Sequence, residues 1–370
     1  MDTQKVSLKE ALSKIEEFRH AQGLRYSLLS ILLLACVAMM CGARSESAIA
    51  EWGRNYGHTW LRRLGIKRKT VPSQSTIHRV FKGIDVVALE QAITEWAESV
   101  LGEPIPLDAI AVDGKTLRGA AKQGAPNAHL LSAVSHRLAT VLAQVAIPDG
   151  TNEISQMDSL LEQLTLTGLV VTADALHTQA TTAQAILDAG GDYLMVVKEN
   201  QPTLRGEIEL VFETATLAET VSRASSTTTH GNRIETRSLA VSSAMHGLSN
   251  WPGLVQVMKL DRMVLTKKTG ELRQETVYGV TSLPSHRAKP EQLNTLWQKH
   301  WTIENKVHWV RDVTFDEDRS TVRSGNAPQA MAAIRNLAIS LFRLRKEPNI
   351  AAAQRKYAAR PILAFTALGI

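Results

Sequence analysis

The sequence predicts an α/β protein whose sheet-forming part follows a mostly helical region. Three observations carry this. Residues 1 to about 100 hold helical periodicity and little strand pattern. From about residue 105, short apolar runs alternate with helical segments. Two of those runs, AIAVDG and GLVVTADA, end in a carboxylate, Asp113 and Asp174, where α/β sheets place their ligands.

The helical region begins with SLKEALSKIEEF, where a serine followed three positions later by Glu10 is a capping-box signature. Tyr26 to Ala43 then runs without a charge. Two readings fit it: a buried core helix, or a membrane span weakened by its serines, cysteines and alanines. Charges of both signs precede it, so it is a poor signal peptide. The stretch SESAIAEWGRNYGHTWLRRLG is again helical, and RRLGIKRK (62–69) carries five basic residues in eight. In QSTIHRVFKGID, Ser73 is placed to cap a helix with Ile77, Val80 and Phe81 inward and His78, Arg79 and Lys82 outward. This is either a helix-turn-helix DNA reader or a solvated basic loop between ordinary helices.

The proline-containing link LGEPIPLDA opens the second part. AIAVDG is its first strand; HLLSAVS and TVLAQVAIP form a hairpin around His136-Arg137; ISQMDSLLEQL is helical. GLVVTADA is a strand, TQATTAQAILDAGG a helix closed by Gly190, and DYLMVVK a further strand. Residues of about 205–285 are β-rich and too long for a loop, so they are expected to be an insertion. Helical patterns resume over 291–311 and in APQAMAAIRNLAISLFRLRK. The expected domains are 1–100, 101–345 and a tail, 346–370.

Composition bounds the function. With 370 residues, 44% apolar and 21% charged, the chain buries a real core. A net charge of +6 and a pI near 9.3 suit a polyanion partner where the charge is clustered. Cys36 and Cys41 lie in one apolar run and make no disulfide framework, which points to a reducing cytoplasm.

The chemistry turns on carboxylates. Asp113 precedes Gly114-Lys115-Thr116, a near miss to a phosphate loop that fails because Ala109 stands where the first glycine must be. Alone, either aspartate is as well explained by a strand end or a turn. Together on adjacent strands they repel unless a cation such as Mg²⁺ bridges them. A helix over 291–311 sets Trp297, His300, Trp301, Glu304, Val307, His308 and Arg311 on one face. A glutamate within that stripe makes sense turned to a metal. The i, i+4, i+8 spacing of His300, Glu304 and His308 also fits a transition-metal site. Asp312 or Asp316 is an alternative third ligand, or, with Glu317 and Asp318, part of an exposed turn neutralised by Arg311, Arg319 and Arg323. Two strand aspartates and a helix glutamate suggest two-metal phosphoryl transfer.

AVDGKTLRGA, VVTADALHTQ, GDYLMVVKENQPTL, HWTIENKVHWVRDVTFDEDRS and RSGNAPQAMAAIRNLAI follow in that order. As a set they resemble the H-repeat-associated, ISAs-group transposases of bacterial insertion sequences, in the DDE superfamily, over nearly the whole chain. The resemblance implies an RNase H-like catalytic core with a β-rich insertion, behind a helical N-terminal domain that buries ILLLACVAMMCGA. It implies two Mg²⁺ ions, with Mn²⁺ able to substitute, on Asp113, Asp174 and Glu304. The signature Y-x₂-R-x₃-E-x₆-K of the broader group, aligned on Glu304, meets Trp297, His300 and Arg311. Trp297 keeps a stacking face without a hydroxyl, and His300 does not hold a fixed charge.

The implied activity is transposition: one DNA strand is cut at the element's end, and the freed 3′ hydroxyl attacks target DNA. Lys115, Lys198, His308, Arg311 and Arg319 are the expected phosphate contacts. Arg62, Arg63, Lys67, Arg68, Lys69, Arg79 and Lys82 are the expected contacts to double-stranded DNA of the terminal inverted repeats. A homo-oligomer at synapsis and no membrane partner are expected. A catalytically silent DNA-binding relic, or a metal-dependent nuclease without strand transfer, fits the same residues.

Overall fold

The computed structural model describes residues 6–56, 58–121, 129–214 and 221–370. In chain order come α1 (Leu8–Ser13), α2 (Leu28–Met40), α3 (Glu46–Asn55), α4 (His58–Arg63), α5 (Gln74–Gly83) and α6 (Val86–Leu101). Then follow β1 (Ala109–Thr116), α7 (Arg118–Ala121), β2 (His129–Ser135), β3 (Val141–Ile147), α8 (Met157–Leu161), β4 (Val170–Ala173), α9 (Ala180–Asp188), β5 (Asp192–Val197) and α10 (Pro202–Glu213). Four long strands come next: β6 (Ser222–His230), β7 (Arg233–Ser242), β8 (Gln256–Thr266) and β9 (Leu272–Thr281). The chain closes with α11 (Pro290–Lys299), α12 (Ala327–Leu344), α13 (Ile350–Ala359) and α14 (Ile362–Leu368).

The chain forms two compact units. The first comprises Met1–Glu103, Gly114–Leu164 and Thr302–Ile370; the second comprises Pro104–Asp113 and Thr165–Trp301.

In the first unit, Ser7 and Glu10 form the expected capping box on α1. Helix α2 is the centre. Its 13 residues span about 20 Å at 1.5 Å each, short of the ~30 Å of a bilayer core. Among the described residues no helix is long and apolar enough to cross a membrane. Ser27 caps α2 by accepting the Ser30 N–H at 3.2 Å, and every α2 residue but Leu29 is buried. Helices α1, α3, α12, α13 and α14 all pack on it. Residues 346–370 are therefore not a tail. Gln354 donates to the Met39 carbonyl at 3.2 Å, and the Tyr56 hydroxyl to that of Ala358 at 2.9 Å.

Helix α5 forms as read, with Ser73 accepting the Thr76 N–H and Ile77, Val80 and Phe81 buried. His78 departs from the outward placement: half-buried, its Nδ1 meets the Glu46 carboxylate at 3.0 Å. Residues 64–73 separate α4 from α5, longer than the turn of a helix-turn-helix.

Strands β2 and β3 are the expected antiparallel hairpin, Leu131 opposite Val145. Helices α6 and α12 pack on β3, and a chain of buried polar groups runs between them. Glu317 binds Arg311 and Arg335, each at 2.8 Å. Gln144 accepts from Asn336 at 2.8 Å and donates to Glu90 at 2.6 Å, which also accepts from Gln329. Burial pushes the Glu90 carboxyl up to about 8, against the opposing hydrogen bonds of Gln144 and Gln329. Because the folded value exceeds the ordinary 4.5, its contribution is complete below about pH 4.5 and is lost as pH rises to about 8. Denaturation of Glu90→Gln beside wild type at several pH values should therefore show wild type alone weakening across that window. The expected difference is on the order of a few kcal/mol, and parallel curves would refute it.

In the second unit the strand order is β1-β4-β5-β9-β8-β7-β6. Strands β1, β4 and β5 run parallel, and from β9 outward every pairing is antiparallel. The β-rich segment is thus no appendage, because β9 pairs directly with β5, Val196 opposite Gly279. It also starts later than expected: 202–213 is helix α10, opened by Pro202 and burying Leu204, Ile208 and Val211. The core gathers Val170, Leu194, Val196, Leu239, Met258, Leu293 and Trp297. A Cβ at Gly279 would lie 2.7 Å from the Trp297 indole, so only glycine lets that ring lie on β9.

Candidate active site

Parallel pairing sets Val112 opposite Ala173, so the next residue of each segment, Asp113 and Asp174, follows at the same level. Neighbouring strands lie about 4.8 Å apart, which makes these two half-buried carboxylates neighbours. Asp174 is the first residue beyond β4, and its Oδ1 accepts the His177 N–H at 3.3 Å. Asp113 does not end its strand, since β1 continues to Thr116.

That continuation gives Gly114 a packing role. The chain makes no turn there. A Cβ at Gly114 would fall 2.1 Å from the Glu153 carboxylate, which pairs with His129 at 2.9 Å. Gly114 is needed for that approach. Lys115, expected at DNA phosphates, is buried and paired with Asp312 at 2.5 Å.

His300 follows α11 in the second unit. Its Nδ1 lies 3.1 Å from the Thr172 hydroxyl on β4. Burial lowers its pKa, while the charges of Asp113 and Asp174 oppose that shift.

The single helical face expected over 291–311 is not formed. Helix α11 stops at Lys299, His300 and Trp301 form a turn, and Glu304–His308 and Val310–Thr314 are π-helical. Such i→i+5 turns recur at functional sites. Trp297 is a core residue, 5% exposed, so it cannot stack on a base. Arg311 is fully buried against Glu317, so it is a structural cation rather than a phosphate contact. His308 is buried too, and Glu304 is exposed; a ligand atom of each lies within 4.8 Å of the other.

The acidic stretch after it is neutralised but only partly exposed. Asp316 pairs with Arg319 at 2.8 Å, Asp318 with Arg118 at 3.6 Å, and Glu317 lies in the core. Arg319 and Lys198 are exposed, as are Arg62, Arg63, Lys67, Arg68, Lys69, Arg79 and Lys82. Sequence reasoning missed Thr172, Asp312 as the partner of Lys115, and Arg335. The signals were Thr172, two residues before Asp174, and Lys115, the partner of Asp312, two residues along β1 from Asp113 and on its face.

The parallel strands β1, β4 and β5 with their antiparallel extension, and helices packed around them, define a mixed α/β protein with two neighbouring carboxylates, Asp113 and Asp174. Residues 105–341 match the family model of the transposase DDE domain, and residues 9–97 that of its associated N-terminal domain. The chain belongs to the DDE transposase family. It is 31% identical to YbfL of Escherichia coli K12, covering 95% of this chain and 96% of YbfL. It is 30% identical to the H repeat-associated YhhI of the same strain, with the same two coverages. YncI of Escherichia coli O157:H7 is 31% identical over 91% of this chain and 87% of its own. A solved piggyBac transposase synaptic complex covers 98% of this chain and 77% of that one at 12% identity and a TM-score of 0.43, too loose a likeness to inform the fold.

Proposed function

We propose that this chain is an insertion-sequence transposase that cuts DNA at the element's ends and joins the freed 3′ hydroxyl to target DNA, using two Mg²⁺ ions on Asp113, Asp174 and Glu304. The observation that supports this most is the pair Asp113 and Asp174, each following the last paired residue of the parallel strands β1 and β4. Two hard oxygen donors that repel each other fit a divalent cation. When bound, that cation supplies charge to activate the attacking oxygen and stabilise the leaving one.

The protein's own work is binding and alignment. The His177 amide holds Asp174, which limits its reorganisation during reaction. The exposed cations of 62–82, with Lys198 and Arg319, are proposed to bind the DNA backbone. Lys115, Trp297, His308 and Arg311, being buried, are left out of that set. Changing Arg62, Arg63, Lys67, Arg68 and Lys69 together to alanine should weaken duplex binding whatever its sequence. It should also flatten the plot of log affinity against log salt by about 0.9 for each phosphate that is no longer neutralised. An unchanged slope would remove this stretch from the interface.

The deciding experiment incubates the full chain with duplexes carrying the element's own ends, in Mg²⁺, in Mn²⁺ and in EDTA. End-specific nicks and joined products with either metal, and none in EDTA, are expected. Binding without nicking would establish a silent DNA-binding protein, and nicking without joining a nuclease.

A further inference from the structure

Thr172 and His300 contribute polar contacts beside the aspartate pair that the function above leaves unused. Thr172 stands two residues before Asp174 and is buried. Its hydroxyl oxygen lies 3.0 Å from the Ile110 carbonyl and 3.1 Å from His300 Nδ1. A hydroxyl has one proton, and a carbonyl can only accept. The proton therefore goes to Ile110, and Nδ1 must donate to the oxygen's lone pair. In the neutral imidazole Nε2 is then an acceptor. Burial favours that neutral form, against the charges of Asp113 and Asp174 and a hydrogen bond to the Thr172 backbone. Histidines at metal sites are commonly fixed by just such a hydrogen bond from the far nitrogen. Mg²⁺ prefers oxygen donors and keeps several waters, so the natural partner for an imidazole lone pair here is a water.

We propose that Thr172 is a positioning residue: it locks His300 as the Nδ1–H tautomer, so that Nε2 accepts a hydrogen bond from the water that attacks DNA. The role of that water rests on the function proposed above; the tautomer does not. The test uses full-length, metal-free protein labelled with ¹⁵N-histidine, with His300→Gln identifying the resonance. Wild type and Thr172→Ser should show His300 protonated at Nδ1 and bare at Nε2. Thr172→Val, which keeps the shape and loses the hydroxyl, should shift His300 towards Nε2–H. Thr172→Ala gives the same reading if the valine variant fails to fold.

In the nicking assay the valine variant should lose about 10–100-fold, with the serine variant close to wild type and DNA binding equal in all three. Two results would overturn the proposal: wild-type His300 protonated at Nε2, or a valine variant with the wild-type tautomer and nicking rate. If wild type has the Nδ1–H tautomer yet never nicks DNA, the proposed function fails and takes the water's role with it, while the positioning of His300 by Thr172 stands.

Discussion

Asp174→Asn should bind end DNA like wild type and nick it roughly 10³-fold more slowly, the scale on which preorganised charge contributes to catalysis. The substitution is nearly isosteric, and its carbonyl can still accept the His177 N–H that holds Asp174 at 3.3 Å. Only charge is lost. Asp113→Asn should behave alike, because the two residues follow paired positions of parallel strands. A second readout separates metal binding from misfolding. Without divalent metal, neutralising either member relieves repulsion, so thermal stability should hold or rise; with metal, wild type should gain stability and the variants should not. Nicking within tenfold of wild type in either asparagine variant would remove these aspartates from the site. An active Glu304→Ala beside a dead Asp316→Ala would move the third position to Asp316, whose backbone is left-handed (φ 57°) and whose carboxylate pairs with Arg319.

Glu317→Ala should cost about 3–5 kcal/mol of stability, the scale on which breaking a buried ion pair destabilises a fold. Glu317 is 2% exposed, Arg335 2% and Arg311 0%. Removing it strands two guanidinium groups in the core. Burial alone would raise the Glu317 carboxyl, but Arg311 and Arg335 together hold it down at about 2. Its contribution is therefore complete above about pH 4.5 and lost as pH falls towards 2, the opposite direction to Glu90. Urea unfolding followed by circular dichroism measures both effects. A loss under about 1 kcal/mol, the scale of a surface pair, would mean that the three charges do not act as a unit.

Much of this architecture was legible because periodicity and caps are local signals. Ser73 with Ile77, Val80 and Phe81 specified α5, and the serine-glutamate box specified α1. Each of the two aspartates closes an apolar run, but only Asp174 ends its strand; β1 runs on past Asp113 to Thr116. What failed was non-local. The stripe from Trp297 to Arg311 satisfies helical spacing, yet the turn at 300–301 and the π-helical segments give its members different fates. Lys115 reads as a free cation because its counter-charge, Asp312, is assigned by tertiary packing, and the pairing of Arg311 with the acidic stretch lies in the core rather than on an exposed turn. The start of the β-rich segment was misplaced because Leu204, Ile208 and Val211 lay inside a stretch judged by its polar turns.

The first unit is stitched from three separate stretches of chain, and its central helix α2 is covered by helices from both ends of the sequence. A stop codon or frameshift between residues 104 and 326 deletes α12, α13 and α14 and leaves α2 covered by α1 and α3 alone. The ribosome would then release a chain with much of its most apolar helix uncovered, fit for proteolysis or aggregation. Truncated copies of this gene should fall silent outright, and interfering products should come only from full-length chains whose point substitutions spare the core.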